Sequence, residues 1–324
     1  MSGIADVVAL LRAHERVVVA CHEAPDGDAI GSLIGAGTAL SAAGWDVALW
    51  APGDAPLPED YAWLGYDGVA RTPPDDLDAR LLLALDCGSA ERLGADGPAA
   101  VARAAASANV DHHADNTRFA DVDVVDADAA CATVLVLRLL RALEIPVSPS
   151  VAEALYVGVV TDTGRFMYAN ANPEAHAAAG DLIGLGVRPD GVFRRLYEDR
   201  PAARVRLLAR ALATLDIRCG GRLAVACVSL EDLEQTGAAE ADSEGVIDHL
   251  RAIRGVDVAV VIREPRAGGG ALKKASLRSG DPAVDVARIA HAGGGGGHAM
   301  AAGFSMEGSF ADVIALIEAE LVRA

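Results

Sequence analysis

The sequence predicts an α/β protein in two parts: an N-terminal domain on an open parallel sheet and a smaller α/β C-terminal domain. Three observations carry this reading. Short, fully apolar runs such as Val17–Cys21 and Leu81–Leu85 stop abruptly at polar residues, as strands buried on both faces do. Stretches of helical length alternate with them, and such alternation gathers polar loops along the C-terminal edge of a parallel sheet. The character then changes after about residue 190, where Arg194–Leu215 carries six arginines and connects to a second set of strands and helices.

In order, Val17–Cys21 is a strand that ends at the polar loop His22–Gly27. Asp28–Ala43 reads as a helix of small residues with Gly44 as its stop. Val47–Trp50 and Leu81–Leu85 are the next strands, and Ala129–Leu143 and Ser150–Val160 are buried helices. Beyond the arginine-rich stretch, Arg222–Leu230, Asp257–Arg263 and Leu272–Arg278 read as strands, with helices near Ser243–Ile253 and Ser309–Val322. Gly268–Gly270 reads as a hairpin turn, and Gly293–Gly297 as a glycine loop before the short strand Ala301–Phe304.

Composition narrows the function. The 324 residues are 52% hydrophobic but only 4% aromatic, so two cores are affordable and must be built from Ala, Val and Leu. The five cysteines form no CxxC pair, which suits reduced thiols in a cytoplasmic protein. The first twenty residues lack a basic segment followed by an apolar stretch, and no run reaches the length of a membrane span, so neither secretion nor a membrane partner is expected. With 28 basic against 46 acidic residues, the net charge of −18 argues against a grip on long nucleic acid. A small anion still binds wherever a few cations converge.

Four segments place acids or histidines at the ends of apolar runs: His22-Glu23-Ala24-Pro25-Asp26-Gly27-Asp28, Leu85-Asp86-Cys87, Val110-Asp111-His112-His113 and Val160-Thr161-Asp162-Thr163-Gly164. Taken singly, Asp86 reads more readily as a cap or turn residue than as a catalytic one, and the histidine pair is ambiguous. Together, carboxylates converging at strand ends would repel one another, and divalent cations remove that conflict. A mixed histidine and carboxylate set suits Mn²⁺, with Fe²⁺, Co²⁺ or Zn²⁺ as alternatives, better than Mg²⁺.

The quartet HEAPDGDAIGS, LDC, DHH and TDTG resembles the four motifs of the DHH phosphoesterase superfamily, and GGGGGHAMAAGF resembles the glycine signature of the DHHA1 domain. The likeness runs from about residue 16 to residue 306. The segment Asn116–Asp121 is similar to the branch that holds nanoRNases, pAp phosphatases and cyclic-di-AMP phosphodiesterases. The resemblance implies a DHH domain over residues 1–192, a helical linker over 193–215 and a DHHA1 domain over 216–324, with the active site in the cleft between domains. It implies two Mn²⁺ ions, with Mg²⁺, Co²⁺ or Fe²⁺ as possible substitutes. His22, Asp26 and Asp86 would hold the first ion, and Asp28, Asp86, His112 and Asp162 the second, with Asp86 bridging. Residues 26 and 28 would alternate across a short loop to face different ions. A water shared by ions about 3.5–4 Å apart loses a proton readily and attacks phosphorus in line. Asp111 would orient its neighbours, and His113 would stand beside the scissile phosphate as a proton or hydrogen-bond donor.

Asp26, Asp28, Asp86 and Asp162 carry four negative charges, which two divalent ions only neutralise. The cations that attract a phosphate are therefore expected in the second domain. Glycines allow backbone N–H groups close to an anion, so Gly295, Gly296 and Gly297, followed by His298, are candidate substrate contacts. In the strand LKKASLRS, residues 274, 276 and 278 share one face. Lys274 there is either a cleft cation or solvated surface, and Arg278 resembles the family's phosphate-binding arginine. Arg165 and Tyr168 are further substrate candidates, and Cys21 and Cys87 read as small buried fillers. The expected activity is hydrolysis of short oligoribonucleotides, pApA or c-di-AMP, or pAp. The alternatives are a family II-like pyrophosphatase and a cyclic-dinucleotide sensor without catalysis. A homodimer is implied by the resemblance alone.

Overall fold

The computed structural model describes residues 3–281 and 283–323, apart from the side chains of His298 and Arg323. It divides into two units, Met1–Asp199 and Arg200–Ala324.

The first unit holds β1 (Arg16–Ala20), β2 (Asp46–Trp50), β3 (Val69–Ala70), β4 (Leu81–Leu85), β5 (Ala106–Asp111) and β6 (Val122–Val125) in the order β3-β2-β1-β4-β5-β6, every pair parallel. Its helices are α1 (Ile4–Ala13), α2 (Gly27–Ala42), α3 (Gly97–Arg103), α4 (Ala132–Ala142), α5 (Pro149–Asp162), α6 (Pro173–Gly184) and α7 (Pro189–Phe193). Strand residues alternate between two cores. Val17, Val19, Leu81, Leu83 and Leu85 pack with α1, α2, α4 and α5, whereas Val18, Ala20, Leu82, Ala84 and Trp50 form the opposite layer with Leu93 and Ala100. Burial on both faces explains the unbroken apolar runs in the sequence. The strand order reverses between β1 and β4, and at such a switch point the loops after two adjacent strands part to leave a crevice. His22 follows β1 and Asp86 follows β4 at this point.

A glycine seam brings α2 against α5. A Cβ at Gly27 would meet the Thr161 side chain at 2.4 Å, and one at Gly31 would meet the Ala154 carbonyl at 2.5 Å. Gly158, on α5, would place its Cβ 2.3 Å from Thr133 and 2.6 Å from Asp28 Oδ1. Residues four apart share a helix face, so small residues on both helices let α2 deliver Asp28 to the C-terminal turn of α5, where Asp162 sits.

The second unit begins with α8 (Ala202–Ala213) and contains β7 (Asp216–Arg218), β8 (Leu223–Val228), α9 (Leu230–Thr236), α10 (Val246–Arg251), β9 (Val258–Arg263), β10 (Leu272–Ser279), α11 (Val286–Ala292), β11 (Gly296–His298), β12 (Ala301–Glu307) and α12 (Phe310–Arg323). The sheet order is β11-β12-β10-β9-β8-β7, antiparallel except for β8–β9. One face packs on α8, α9 and α10, and the other on α11 and α12.

Three elements differ from the sequence reading. Arg194–Leu215 is two helical pieces, a π-helical turn at Arg194–Glu198 and then α8, because Pro201 removes a backbone donor between them. The helix after the first motif starts one residue early, at Gly27 with Asp26 as its N-cap, so Asp26 and Asp28 are set by the helix start and do not alternate across a loop. The glycine run is only partly a loop: Gly296–His298 pairs with Ala301–Gly303 as an edge strand. Among the described residues, no helix is long and apolar enough to cross a membrane.

Candidate active site

The loops after β1, β4 and β5 and the end of α5 bring the sequence-predicted ligands of the first unit together. Ligand atoms of His22, Asp26 and Asp86 lie within 4.8 Å of one another, and so do those of Asp28, His112 and Asp162. Asp86 joins the two groups: its Oδ2 is 3.6 Å from His22 Nε2 and its Oδ1 is 3.5 Å from His112 Nε2. His112 Nε2 is also 4.0 Å from Asp28 Oδ2 and 3.9 Å from Asp162 Oδ2.

Local structure holds each group in place. His22 Nδ1 donates to the Glu23 carbonyl at 2.8 Å, which leaves Nε2 as the ligating nitrogen. Asp26 Oδ1 accepts from the N–H groups of Asp28 and Ala29, so the cap of α2 orients a carboxylate whose other oxygen remains for a cation. Asp28, fully buried, accepts from Ala132 N at 2.6 Å and Thr133 N at 3.0 Å, the orphan donors at the start of α4. Asp86 sits at φ 56°, unusual for a residue with a side chain. Its turn is fixed where Asn109 and Asn116 both donate to the Cys87 carbonyl, at 3.1 and 3.0 Å. Asn170 donates to the Asp162 carbonyl at 3.1 Å and to Asp162 Oδ2 at 3.3 Å.

The electrostatics are those of a crowded anionic site. Burial raises the Asp28 carboxyl well above its ordinary range, and the neighbouring Asp86 and Asp162 charges add to this. Burial also lifts Asp162 to about 6, against the pull of His112. Asp86 is pushed up by burial, but the neighbouring His112 and His22 rings outweigh this and hold it low. Burial disfavours charge on His112, yet Asp86 and Asp28 raise it to about 9. His113 is raised chiefly by its bond to Asp111, 2.8 Å from its Nδ1. Asp86 Oδ1 is buried without a hydrogen-bond partner among the described residues. An orphaned carboxylate oxygen amid two histidines and three further carboxylates is a donor set that fits divalent cations.

Asp111 is fully buried and touches His113 and Asn116, not the ligand groups. Burial pushes Cys87 up to about 12 and raises Cys21 and Cys131 as well, so these thiols are packing groups and not nucleophiles. Arg165 lies over the Tyr197 ring at 4.9 Å, beside a pocket of about 460 Å³ lined by Tyr156, Phe166 and Phe193. Tyr168 is half-exposed.

In the second unit, β10 separates its lysines as its alternation requires. Lys273 is buried, 3.1 Å from Glu264 Oε1, while exposed Lys274 and half-buried Arg278 share the opposite face. Gly295 and Gly297 approach β12 so closely that a Cβ would come within 2.1 Å of the Gly303 carbonyl and 2.5 Å of the Ala301 carbonyl. Close strand packing alone therefore demands glycine at both positions. A Cβ at Gly296 would meet only the His291 ring, at 3.4 Å. The His298 side chain lies outside the described residues.

Sequence reasoning missed Asn109, Asn116 and Asn170. Asn116 lies in the Asn116–Asp121 segment that carried the branch resemblance, and that was its only signal. Nothing local marks the other two.

Fold and ligand set define a class, α/β proteins that gather histidines and carboxylates at the switch point of a parallel sheet. Within it, the chain belongs to the DHH/DHHA1 superfamily of phosphoester hydrolases: residues 16–159 match the DHH family N-terminal domain and residues 220–323 the DHHA1 domain. A Thermus thermophilus protein named bifunctional oligoribonuclease and PAP phosphatase is 33% identical over 319 residues, covering 95% of this chain and 91% of its own. A Bacillus subtilis protein of the same name is 24% identical over 304 residues, covering 93% and 92%. Among solved structures, an exopolyphosphatase-related protein from Bacteroides fragilis matches with a TM-score of 0.89 at 23% identity, over 99% of this chain and 95% of that one.

Proposed function

We propose that the chain hydrolyses phosphoester bonds in small nucleotides, with short oligoribonucleotides and adenosine 3′,5′-bisphosphate as its substrates, supported by two divalent cations, Mn²⁺ foremost. The observation that carries this is the pair of ligand groups, His22/Asp26/Asp86 and Asp28/His112/Asp162, joined through the 3.5 Å approach of Asp86 to His112. The names of the relatives support the substrate class.

When bound, the cations supply charge neutralisation at phosphorus and lower the pKa of attacking water. The protein supplies the rest. Asp86 faces both ligand groups and sets their spacing. Asp26 and Asp28 are kept apart by their different places at the start of α2. His113 has its Nδ1 engaged by Asp111, so Nε2 is the nitrogen that gives a proton or hydrogen bond to the leaving oxygen. Arg278, whose planar fork suits a phosphate, and the glycine stretch at Gly296 and Gly297 bind substrate in the second unit, whereas the Gly295 N–H is already given to the Ala290 carbonyl at 2.9 Å.

The test is the initial rate with Mn²⁺ on pApA, c-di-AMP, pAp, a short RNA and pyrophosphate. Cleavage of the linear nucleotides and pAp, lost on Asp86→Ala, is expected. Turnover of pyrophosphate alone, or full activity in Asp86→Ala, would overturn the reading.

A further inference from the structure

We infer that Asn116 is a positioning residue: its amide ties the Asp111 carboxylate, and through it the His113 ring, to the backbone of the Asp86 turn. This rests on the reading of His113 as donor to the leaving oxygen. Half-buried Asn116 uses both ends of its side chain. Its Oδ1 accepts from Arg118 N at 2.7 Å, a local contact within its own turn. Its Nδ2 carries two hydrogens and donates to the Cys87 carbonyl at 3.0 Å and to Asp111 Oδ2 at 2.6 Å. Asp111 Oδ1 in turn accepts from His113 Nδ1 at 2.8 Å.

The tie matters because two carboxylates compete for the same ring nitrogen. Asp86 Oδ1 stands 3.6 Å from His113 Nδ1, and Asp111 wins only while it is held closer. Among the described residues, no side chain other than Asn116 and His113 donates to the Asp111 carboxylate. Freed from Asn116, the carboxylate of Asp111 relaxes, His113 samples Asp86, and its ring loses a single orientation.

Asn109 makes this separable from a role in cation binding. Fully buried, it donates to the same Cys87 carbonyl at 3.1 Å, so the Asp86 turn keeps an anchor when Asn116 is replaced. The loss falls on the His113 arm.

The experiment uses the full chain with Asn116→Ala and Asn116→Asp, the second of which keeps the acceptor for Arg118 N–H and replaces the donor with a carboxylate that repels Asp111. Each should lower kcat on a short oligoribonucleotide by about tenfold while Mn²⁺ affinity and KM stay within about twofold. The His113→Asn/Asn116→Ala double variant should be no slower than His113→Asn alone, because both act through one group. Mn²⁺ affinity falling in step with kcat, or effects that multiply in the double variant, would overturn the inference. A readout independent of turnover is ¹⁵N NMR of the neutral His113 ring with Mg²⁺ present, assigned against His113→Asn. The wild-type ring should give one set of signals with its proton on Nδ1, and the Asn116 variants should give a second or exchange-broadened set as the Nδ1 proton is shared between Asp111 and Asp86. An unchanged single set of ring signals overturns the inference whatever the enzyme cleaves, whereas split or broadened signals with no turnover in the wild type would sink the functional reading and leave this one standing.

Discussion

Asp86 combines three properties that rarely coincide in one residue: a left-handed backbone, near-complete burial and an oxygen without a hydrogen-bond partner. Strain and an orphaned acceptor each cost on the order of 1–3 kcal/mol and persist where the surroundings over-determine them. A cation held with His22 and His112 would satisfy the orphaned oxygen and give the strained, buried turn its function. Asp86→Asn keeps the shape and removes the charge. It should cut kcat/KM by more than about a hundredfold, since losses outside the ligand shell already cost about 10–100-fold. A loss below tenfold in steady-state rates would mean that Asp86 does not bridge. The histidine beside it gives a second residue-level prediction. Without a cation, His112 is raised to about 9, so it is protonated at neutral pH. Its folded value lies above the unfolded one, so its stabilising charge contacts are present below about pH 6.5 and fade as pH rises through 9. A ligand nitrogen must be unprotonated, so cation binding at pH 7 expels this proton. Affinity should then rise about tenfold per pH unit between pH 7 and 9. Calorimetric titration in buffers of different ionisation enthalpy reads the released proton directly, and a flat profile would remove His112 from the ligand set.

At the scale of elements, the candidate site was legible in the sequence where a strand announces itself as an apolar run that ends on the residue it delivers, as β1 and β4 do, whereas β5, reading ASANVD, carries no such run. Leu81–Leu85 needs no neighbour to be read as buried, and Asp86 is simply where it stops. What the sequence does not display is how two helices approach. α2 reads as small residues throughout, and only packing shows that Gly27 and Gly31 face α5 while Gly37 faces Leu49. The start of α2 was misplaced by one residue for a related reason: Asp26 caps the helix, and an aspartate that caps a helix looks like one in a loop until the N–H groups it receives are known. The strand at Gly296–His298 was hidden because a glycine run carries no side-chain alternation to betray it. The seam makes a differential prediction. A Cβ at Gly31 presses on the Ala154 carbonyl, a backbone atom that cannot swing aside, whereas one at Gly35 meets only the tip of Leu155, at 2.8 Å. Gly31→Ala should therefore destabilise by about 1–3 kcal/mol in urea unfolding and weaken cation binding by parting α2 from α5. Gly35→Ala should be near neutral, because the gain in helix propensity of about 1 kcal/mol offsets the shifted leucine. Equal costs at the two positions would contradict the seam.

For the whole molecule, the net charge of −18 and the absence of any long basic run bear on substrate length more than on chemistry. An enzyme that tracks a long strand neutralises many phosphates, and its affinity falls steeply with salt, by about 0.7 of a logarithmic unit per contact and decade for single strands. On the proposed reading, the acidic charge repels every phosphate beyond those that the cations, the Arg278 guanidinium and the glycine backbone would hold. Lengthening the strand adds repulsion without adding contacts. At fixed Mn²⁺, kcat/KM on 5′-phosphorylated RNA should therefore peak between two and about five nucleotides and fall at least about tenfold by twenty, as each further phosphate meets only the acidic surface. The salt slope should correspond to about one to three phosphate contacts, whatever the strand length. Removing one of them in Arg278→Ala should raise KM on the dinucleotide and lower that slope by about 0.7. If a twenty-nucleotide strand is degraded as fast as a dinucleotide, with a slope that grows with length, a nucleic-acid grip exists that the charge distribution does not reveal.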